Sequence, residues 1–305
     1  MISLERIRRF VQHAFSLLIN SHFYIFGTAP IYQGNLKYVC TPVLNCYSCP
    51  LAVTSCPIGA LQSALATLRP TFRAVGGGIP QAGLYILGSL GLVASVVGRM
   101  PCGWLCPFGL IQEYLFKLRT RKLALPRWSR HVRYAVLAIF VVLLPLFWID
   151  PIGFGETTFC KFICPAGTLE AGIPLLALRP ELRQIAGVLF GWKFLVLVAI
   201  VVASIYTSRP FCRTICPLGA ILGLFNRVSL VRLHHDKETC VECGACRTIC
   251  PTGVSFYDGT DSANSPSCIR CLRCYSICPV CAISVTTEQG RKVINQCTPK
   301  RRAAS

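Results

Sequence analysis

The chain has 305 residues, 53% of them hydrophobic and only 14% charged, with a mean hydropathy of +0.55. That is too apolar for an ordinary soluble protein and points to membrane spans. The formal charge of +19 raises the question of nucleic acid, but much of the basic excess flanks apolar runs, where it orients a chain in a bilayer; nucleic acid is set aside as a partner.

Met1–Arg9 is short and basic, and an uncharged run follows from Phe10 to Leu36. A cleaved signal peptide is disfavoured, because Pro30 would follow a cut at Gly27-Thr28-Ala29. The expectation is an uncleaved first span over Phe10–Phe26, its N-terminus in the cytoplasm. His13 and His22 within it are either a haem or quinone site or two interfacial histidines. Cys40, Cys46, Cys49 and Cys56-Pro57 come next. Gly76-Gly77-Gly78 lacks the lysine of a phosphate loop and reads as a flexible entry to a second span, Gly83–Val97. Cys102-Gly103-Trp104-Leu105-Cys106-Pro107-Phe108-Gly109 leads into Leu110–Leu118, read as an amphipathic surface helix.

A third span, Tyr134–Ile149, has 16 residues where about 20 are usual, so it has to borrow flanking residues. Pro145 is tolerable there because bundle neighbours satisfy the carbonyl it frees. Cys160-Lys161-Phe162-Ile163-Cys164-Pro165-Ala166-Gly167 opens the next loop. A fourth span, Val188–Thr207, holds Lys193 near its start, and Cys212-Arg213-Thr214-Ile215-Cys216-Pro217-Leu218-Gly219 closes a membrane domain of residues 1–229. A ferredoxin-like domain is expected over 230–290 and a basic tail over 291–305.

Cys-Pro-x-Gly thus recurs at Cys56, Cys106, Cys164 and Cys216, at intervals of 50, 58 and 52 residues. Such a period marks a reused structural unit: one span, one cysteine loop, one interfacial helix. The first copy departs, with Ala52 at the first cysteine position. Arg99–Arg133 carries eight basic residues, against three each in Ile31–Ala82 and Pro151–Gly187. By the positive-inside bias, four spans then leave loops one and three external and loops two and four cytoplasmic. On the cytoplasmic side Cys102, Cys106, Cys212 and Cys216 make four thiolates. On the external side Cys160 and Cys164 need two more, from Cys56 with Cys49 or Cys46; Cys40 is spare.

The most specific stretch is Cys240-x2-Cys243-x2-Cys246-x3-Cys250-Pro251, repeated as Cys268-x2-Cys271-x2-Cys274-x3-Cys278-Pro279. This is the bacterial two-cluster run, in which three close thiolates hold one cubane and the fourth reaches the sister cluster. Paired zinc sites share the Cys-x2-Cys spacing but do not call for the third cysteine and the Cys-Pro, twice over. Twenty cysteines in these units, within a long apolar chain, speak for clusters over a disulfide scaffold. Four [4Fe-4S] clusters follow as the expectation, two in the ferredoxin domain and one at each membrane face. With about 30 Å of hydrocarbon between the faces, either the clusters sit deep or a quinone or haem bridges them. Arg247, Arg270 and Arg273 either tune the clusters or face solvent. Cys281 and Cys297 lie outside these sets.

The four-span layout, the Cys-x3-Cys-Pro loops and the ferredoxin run together resemble the NapH/MauN group of ferredoxin-type membrane proteins, with the NosR C-terminal part and CcoG-type proteins as wider relatives. Asn45-Cys46-Tyr47-Ser48-Cys49-Pro50 looks like a recurring element of that group. The resemblance implies a mainly α protein of the inner membrane with four transmembrane helices and a C-terminal α+β 2[4Fe-4S] ferredoxin domain. It also implies electron relay between the quinone pool or a cytoplasmic reductant and an external redox partner, with the bilayer, quinol and ferredoxin-type or reductase subunits as partners. Two other readings stay open: a redox maturation factor for a cofactor-containing enzyme, and a membrane anchor for a ferredoxin partner. No Ser-His-Asp set, catalytic carboxylate pair or nucleotide loop stands out, so an electron-transfer subunit is expected rather than an independent enzyme.

Overall fold

The computed structural model describes residues 4–24, 31–68, 81–151, 153–184, 186–287 and 292–294. The triple glycine at 76–78, Cys297 and most of the basic tail lie outside them. The protein is rich in helix, with two apolar cores. The larger gathers Ile58, Leu90, Phe108, Phe159, Phe211 and Leu218 around the cysteine loops. The smaller packs Leu233, Val254, Phe256, Tyr275 and Val285 in the ferredoxin-type region, with Leu4 and Trp104 against it. That region carries a three-stranded antiparallel sheet: β1 (Val231–His235) pairs β2 (Ile283–Thr287), Leu233 opposite Val285, and β2 pairs β3 (Lys292–Ile294). β3 falls inside the stretch expected to be a tail.

Among the described residues, two helices are long and apolar enough to cross a membrane: α1 (Ser129–Phe147) and α2 (Val188–Tyr206), 19 residues each, or about 28 Å at 1.5 Å per residue. α1 begins five residues ahead of the expected third span. Its middle, Leu137–Leu143, is π-helical, and Pro145 accounts for this. In that register residue 145 would donate to the Phe140 carbonyl, but proline has no N–H; the Thr158 hydroxyl donates there instead, at 2.7 Å. Gln81–Val97 is apolar over 17 residues. Large side chains on these helices face outward, among them Leu84, Leu92, Trp192, Leu195 and Val198.

Two expectations change. The first helix runs Leu4–Ile19, not Phe10–Phe26, and turns Arg8 and Gln12 inward. Gln12 donates to the Cys106 carbonyl at 2.8 Å, so this helix serves the cysteine loops. The helix after Cys106 runs Pro107–Phe116, not Leu110–Leu118, and buries Gln112 and Glu113 on one face while Ile111 and Tyr114 stay exposed on the other.

Candidate metal centres

Each Cys-Pro-x-Gly builds the same corner. Cys56, Cys106, Cys164 and Cys216 take the extended backbone of an N-cap, and the following proline opens a helix. Proline suits that first position because its missing N–H would have no partner there anyway. The N–H of the motif glycine then points back at the cysteine sulfur: Gly59 at Cys56, Gly109 at Cys106, Gly167 at Cys164, and Gly219 at Cys216, the last at 3.4 Å. A helix N-terminus aimed at sulfur favours the thiolate, the form that binds metal.

The corners pair across the chain. Cys102, Cys106, Cys212 and Cys216 form one set: burial pushes the Cys106 thiol up to about 12, with Cys212 and Cys102 adding to it. Cys216 is raised by burial and then by Cys212, Cys102 and Cys106. Cys46, Cys56, Cys160 and Cys164 form another, in which burial and then Cys160, Cys46 and Cys56 raise Cys164. Cys46, pushed up to about 12 chiefly by burial, lies here; Cys49 is turned toward Asn20. Cys40 lines the cavity of about 1160 Å³ beside this second set.

Polar side chains six residues beyond three of the N-cap cysteines reach across each pair. Gln62 donates to Cys160 Sγ at 3.4 Å and Gln112 to Cys212 Sγ at 3.2 Å, while Glu170 accepts from the Cys46 N–H at 2.7 Å. Burial lifts the Glu170 carboxyl to about 8. Their common offset from the Cys-Pro would have picked them out of the sequence.

The two sets are not separated by a membrane thickness. Adjacent N–H groups serve one each: Leu44 points at the Cys106 thiol and Asn45 at Cys56. The loops expected on opposite faces therefore meet, through Leu44 and Asn45. The Asn45 side chain is fully buried with neither amide atom hydrogen-bonded in the protein.

In the ferredoxin-type region Cys240, Cys243, Cys246 and Cys278 line one small hollow. Cys250 joins Cys268, Cys271 and Cys274: burial and then Cys250 push Cys268 up to about 12, and Cys274 is raised by burial and by all three partners. The fourth cysteine of each run therefore crosses to the other group. Both loops take left-handed backbone at the same offsets, Glu242 and Gly244 in the first, Arg270 and Leu272 in the second. Alternating handedness turns successive N–H groups inward as an anion-binding nest, and such φ values at non-glycine residues are uncommon enough to mark a functional constraint. Cys281 is disulfide-bonded.

The membrane-domain loops and this region lock together. A Cβ on Gly103 would stand 2.6 Å from the Ile269 carbonyl, so only glycine permits the approach. Trp104 Nε1 donates to the Arg270 carbonyl at 3.0 Å, and Asn226 to those of Ser265 and Cys268 at 2.8 and 2.7 Å. Arg270 is buried and donates to the Val97 and Asn226 carbonyls, and Arg273 pairs with Glu5 and Glu113. Both arginines dock the region; Arg247 faces solvent. His13 on the first helix and His22 just beyond it both have partners: His13 Nε2 the Tyr114 hydroxyl at 2.8 Å, His22 Nδ1 the Pro50 carbonyl at 2.9 Å.

These residues fit iron–sulfur clusters. Thiols stand in sets of four with N–H donors aimed at sulfur, and the orphaned Asn45 amide lies between two sets. The site and fold define a ferredoxin-type iron–sulfur protein.

Comparison with known proteins agrees. A 4Fe-4S binding domain model matches residues 79–126, 132–174 and 189–235, and a 4Fe-4S dicluster domain model matches 232–298; the first cysteine loop falls outside both. The chain is 29% identical over 180 residues to the uncharacterized protein MJ0750 of Methanocaldococcus jannaschii, covering 58% of this chain and 68% of that one. It is 25% identical over 182 residues to YccM of Escherichia coli, named for electron transport, covering 57% and 47%. The methylamine utilization ferredoxin-type protein MauN of Methylorubrum extorquens is 32% identical over 181 residues, covering 57% and 55%. The chain thus spans about half the length of the last two. No solved structure matches it. The chain belongs to the ferredoxin-type 4Fe-4S polyferredoxin group, a family of iron–sulfur electron-transport proteins.

Proposed function

We propose that the protein is a membrane-bound electron relay with four [4Fe-4S] clusters in series. Cys240, Cys243, Cys246 and Cys278 would hold the outermost; Cys250, Cys268, Cys271 and Cys274 the next. Cys102, Cys106, Cys212 and Cys216 would hold the third, and Cys46, Cys56, Cys160 and Cys164 the fourth. Bound there, the clusters supply one-electron exchange, and the chain's work is to hold them, exclude water and set their potentials.

The observation that carries this reading is contiguity. Gly103, beside Cys102, touches Ile269, between Cys268 and Cys271, and Leu44 and Asn45, about 3.8 Å apart at Cα, serve the third and fourth sets. An anchor with incidental membrane cysteines has no use for such a chain of contacts. The outward apolar faces of α1, α2 and Gln81–Val97 support insertion in a bilayer, with four spans, and the N-terminus and ferredoxin domain in the cytoplasm. Quinol or a cytoplasmic reductant then stands at one end and an external redox protein at the other.

Iron and acid-labile sulfide per chain, in protein purified anaerobically in detergent, test the reading. About 16 irons are expected for four cubanes; about 8 would confine clusters to the ferredoxin region and overturn the relay.

A further inference from the structure

Five arginines, Arg8, Arg99, Arg133, Arg209 and Arg270, are among the largest fully buried side chains. Two occupy equivalent places. Arg99 stands three residues before Cys102, and Arg209 three residues before Cys212. Each reaches across to the other's loop. The Arg99 guanidinium donates to the Cys212 carbonyl at 2.5 Å, and Arg209 donates to the Cys102 carbonyl at 2.5 Å. Arg99 lies flat on Gly219, where a Cβ would collide with Nη2, and Arg209 on Gly109, where a Cβ would stand 3.0 Å from Nη1. The glycine of Cys-Pro-x-Gly is therefore, in these two copies, the seat of the opposing arginine.

The seats differ in charge. Arg209 is ion-paired with Glu113, 2.9 Å from Nε and 2.6 Å from Nη2. Arg99 has only carbonyl partners, those of Cys212, Pro266 and Ser267, and its Nε has none. Among the described residues no carboxylate pairs with it. A buried cation without an anion is costly, and this one sits on the backbone of the third set, at the Cys212 carbonyl and against Gly219, whose N–H points at Cys216 Sγ.

We infer that Arg99 is a countercharge of the centre held by Cys102, Cys106, Cys212 and Cys216 and tunes its reduction potential, while Arg209, ion-paired with Glu113, fills the equivalent seat mainly to position the loop. This rests on the cluster reading of the preceding section. A ligated cubane carries about −2 and becomes more negative on reduction; a fixed positive charge a few ångströms away favours the reduced form, the more so in a water-poor interior. Arg99 is a positioning and tuning residue and takes no electron itself.

Full-length Arg99→Gln, Arg99→Lys and Arg209→Gln, purified anaerobically, are titrated redox-metrically by electron paramagnetic resonance, following the signal that Cys102→Ser removes. Iron per chain is read alongside. Arg99→Gln is expected to move that midpoint to more negative potential with iron retained. Arg99→Lys stays nearer the parent, and Arg209→Gln moves less than Arg99→Gln. Loss of about four irons in Arg99→Gln but not in Arg99→Lys would equally show that the charge holds the cluster. An unchanged midpoint in Arg99→Gln, or Arg99→Lys behaving like Arg99→Gln in either readout, overturns the assignment. If Cys102→Ser changes neither iron nor signal, the cluster reading has failed first, and that control separates the two failures.

Discussion

Glu113 lies 7% exposed among Arg8, Arg209 and Arg273, which come from the first helix, the fourth cysteine loop and the ferredoxin-type region. Burial alone would raise its carboxyl; the three guanidinium groups outweigh that and hold it at about 2. A depressed carboxyl contributes stability that is complete above its ordinary value near 4.5 and is lost as pH falls toward about 2. Glu113→Gln leaves buried guanidinium groups without their anion, and a loss of about 3–5 kcal/mol near neutral pH is expected. Denaturant unfolding of the two chains should show that gap narrowing as pH drops below about 4.5. A gap independent of pH would mean that shape, not charge, is the contribution. The sequence did not reveal this residue. Gln112 and Glu113 lie in a mostly apolar segment whose pattern fits an interfacial helix, and their partners are about a hundred or more positions away. Gln62, Gln112 and Glu170 share a six-residue offset from their Cys-Pro that would have singled them out, but nothing local says what each of them faces.

At the scale of the element, Cys-Pro-x-Gly is a helix start that supplies a thiol, an N–H to that thiol and an open face. Its recurrence and its period were legible because the same cysteine, proline and glycine return in the same order four times. What filled the open face was not legible, and it differs between copies. A Cβ on Gly59 would meet Cys160 Sγ at 3.8 Å, an ordinary contact, whereas on Gly219 it would overlap the Arg99 guanidinium. Gly59→Ala is thus expected to be close to neutral, and Gly219→Ala to cost about 1–3 kcal/mol, the usual toll of overpacking. Thermal unfolding of the two variants compares them directly; equal effects would contradict the arginine seat. Pro145 belongs to the same scale. The sequence anticipated a bundle neighbour for the carbonyl it frees, and Thr158 is that neighbour.

For the whole molecule, composition foretold helices with outward apolar faces, the cysteine spacing pointed to the crossed ferredoxin sets, and the basic-residue bias paired loop one with three and two with four. Depth was not written in the pattern. Charge bias sorts loops to sides but says nothing of how far a loop folds back, and here Leu44 and Asn45 bring the two sets together. The first helix was misplaced because an uncharged run is read as a span, while the buried polar face of Arg8 and Gln12 is not a property of hydropathy. Alkaline phosphatase fused after Trp148 is expected to be active outside the cell, and fused after Lys122 inactive; the reverse pattern would invert the orientation, and equal activity would remove the span between them.

The crossed contacts have the logic of a two-fold dimer interface. What one half gives the other it receives back at the equivalent position: arginine onto glycine and guanidinium to carbonyl in both directions, as in an isologous contact between identical subunits. Here both partners lie on one polypeptide, so the symmetry is free to be broken. Glu113 has an arginine of one half and no counterpart at the equivalent place in the other, where Gly223 stands seven residues beyond Cys216. A strict homodimer would have to neutralise both seats or neither. A single chain can leave one charged, and so give a centre built from two like halves a polarity of its own.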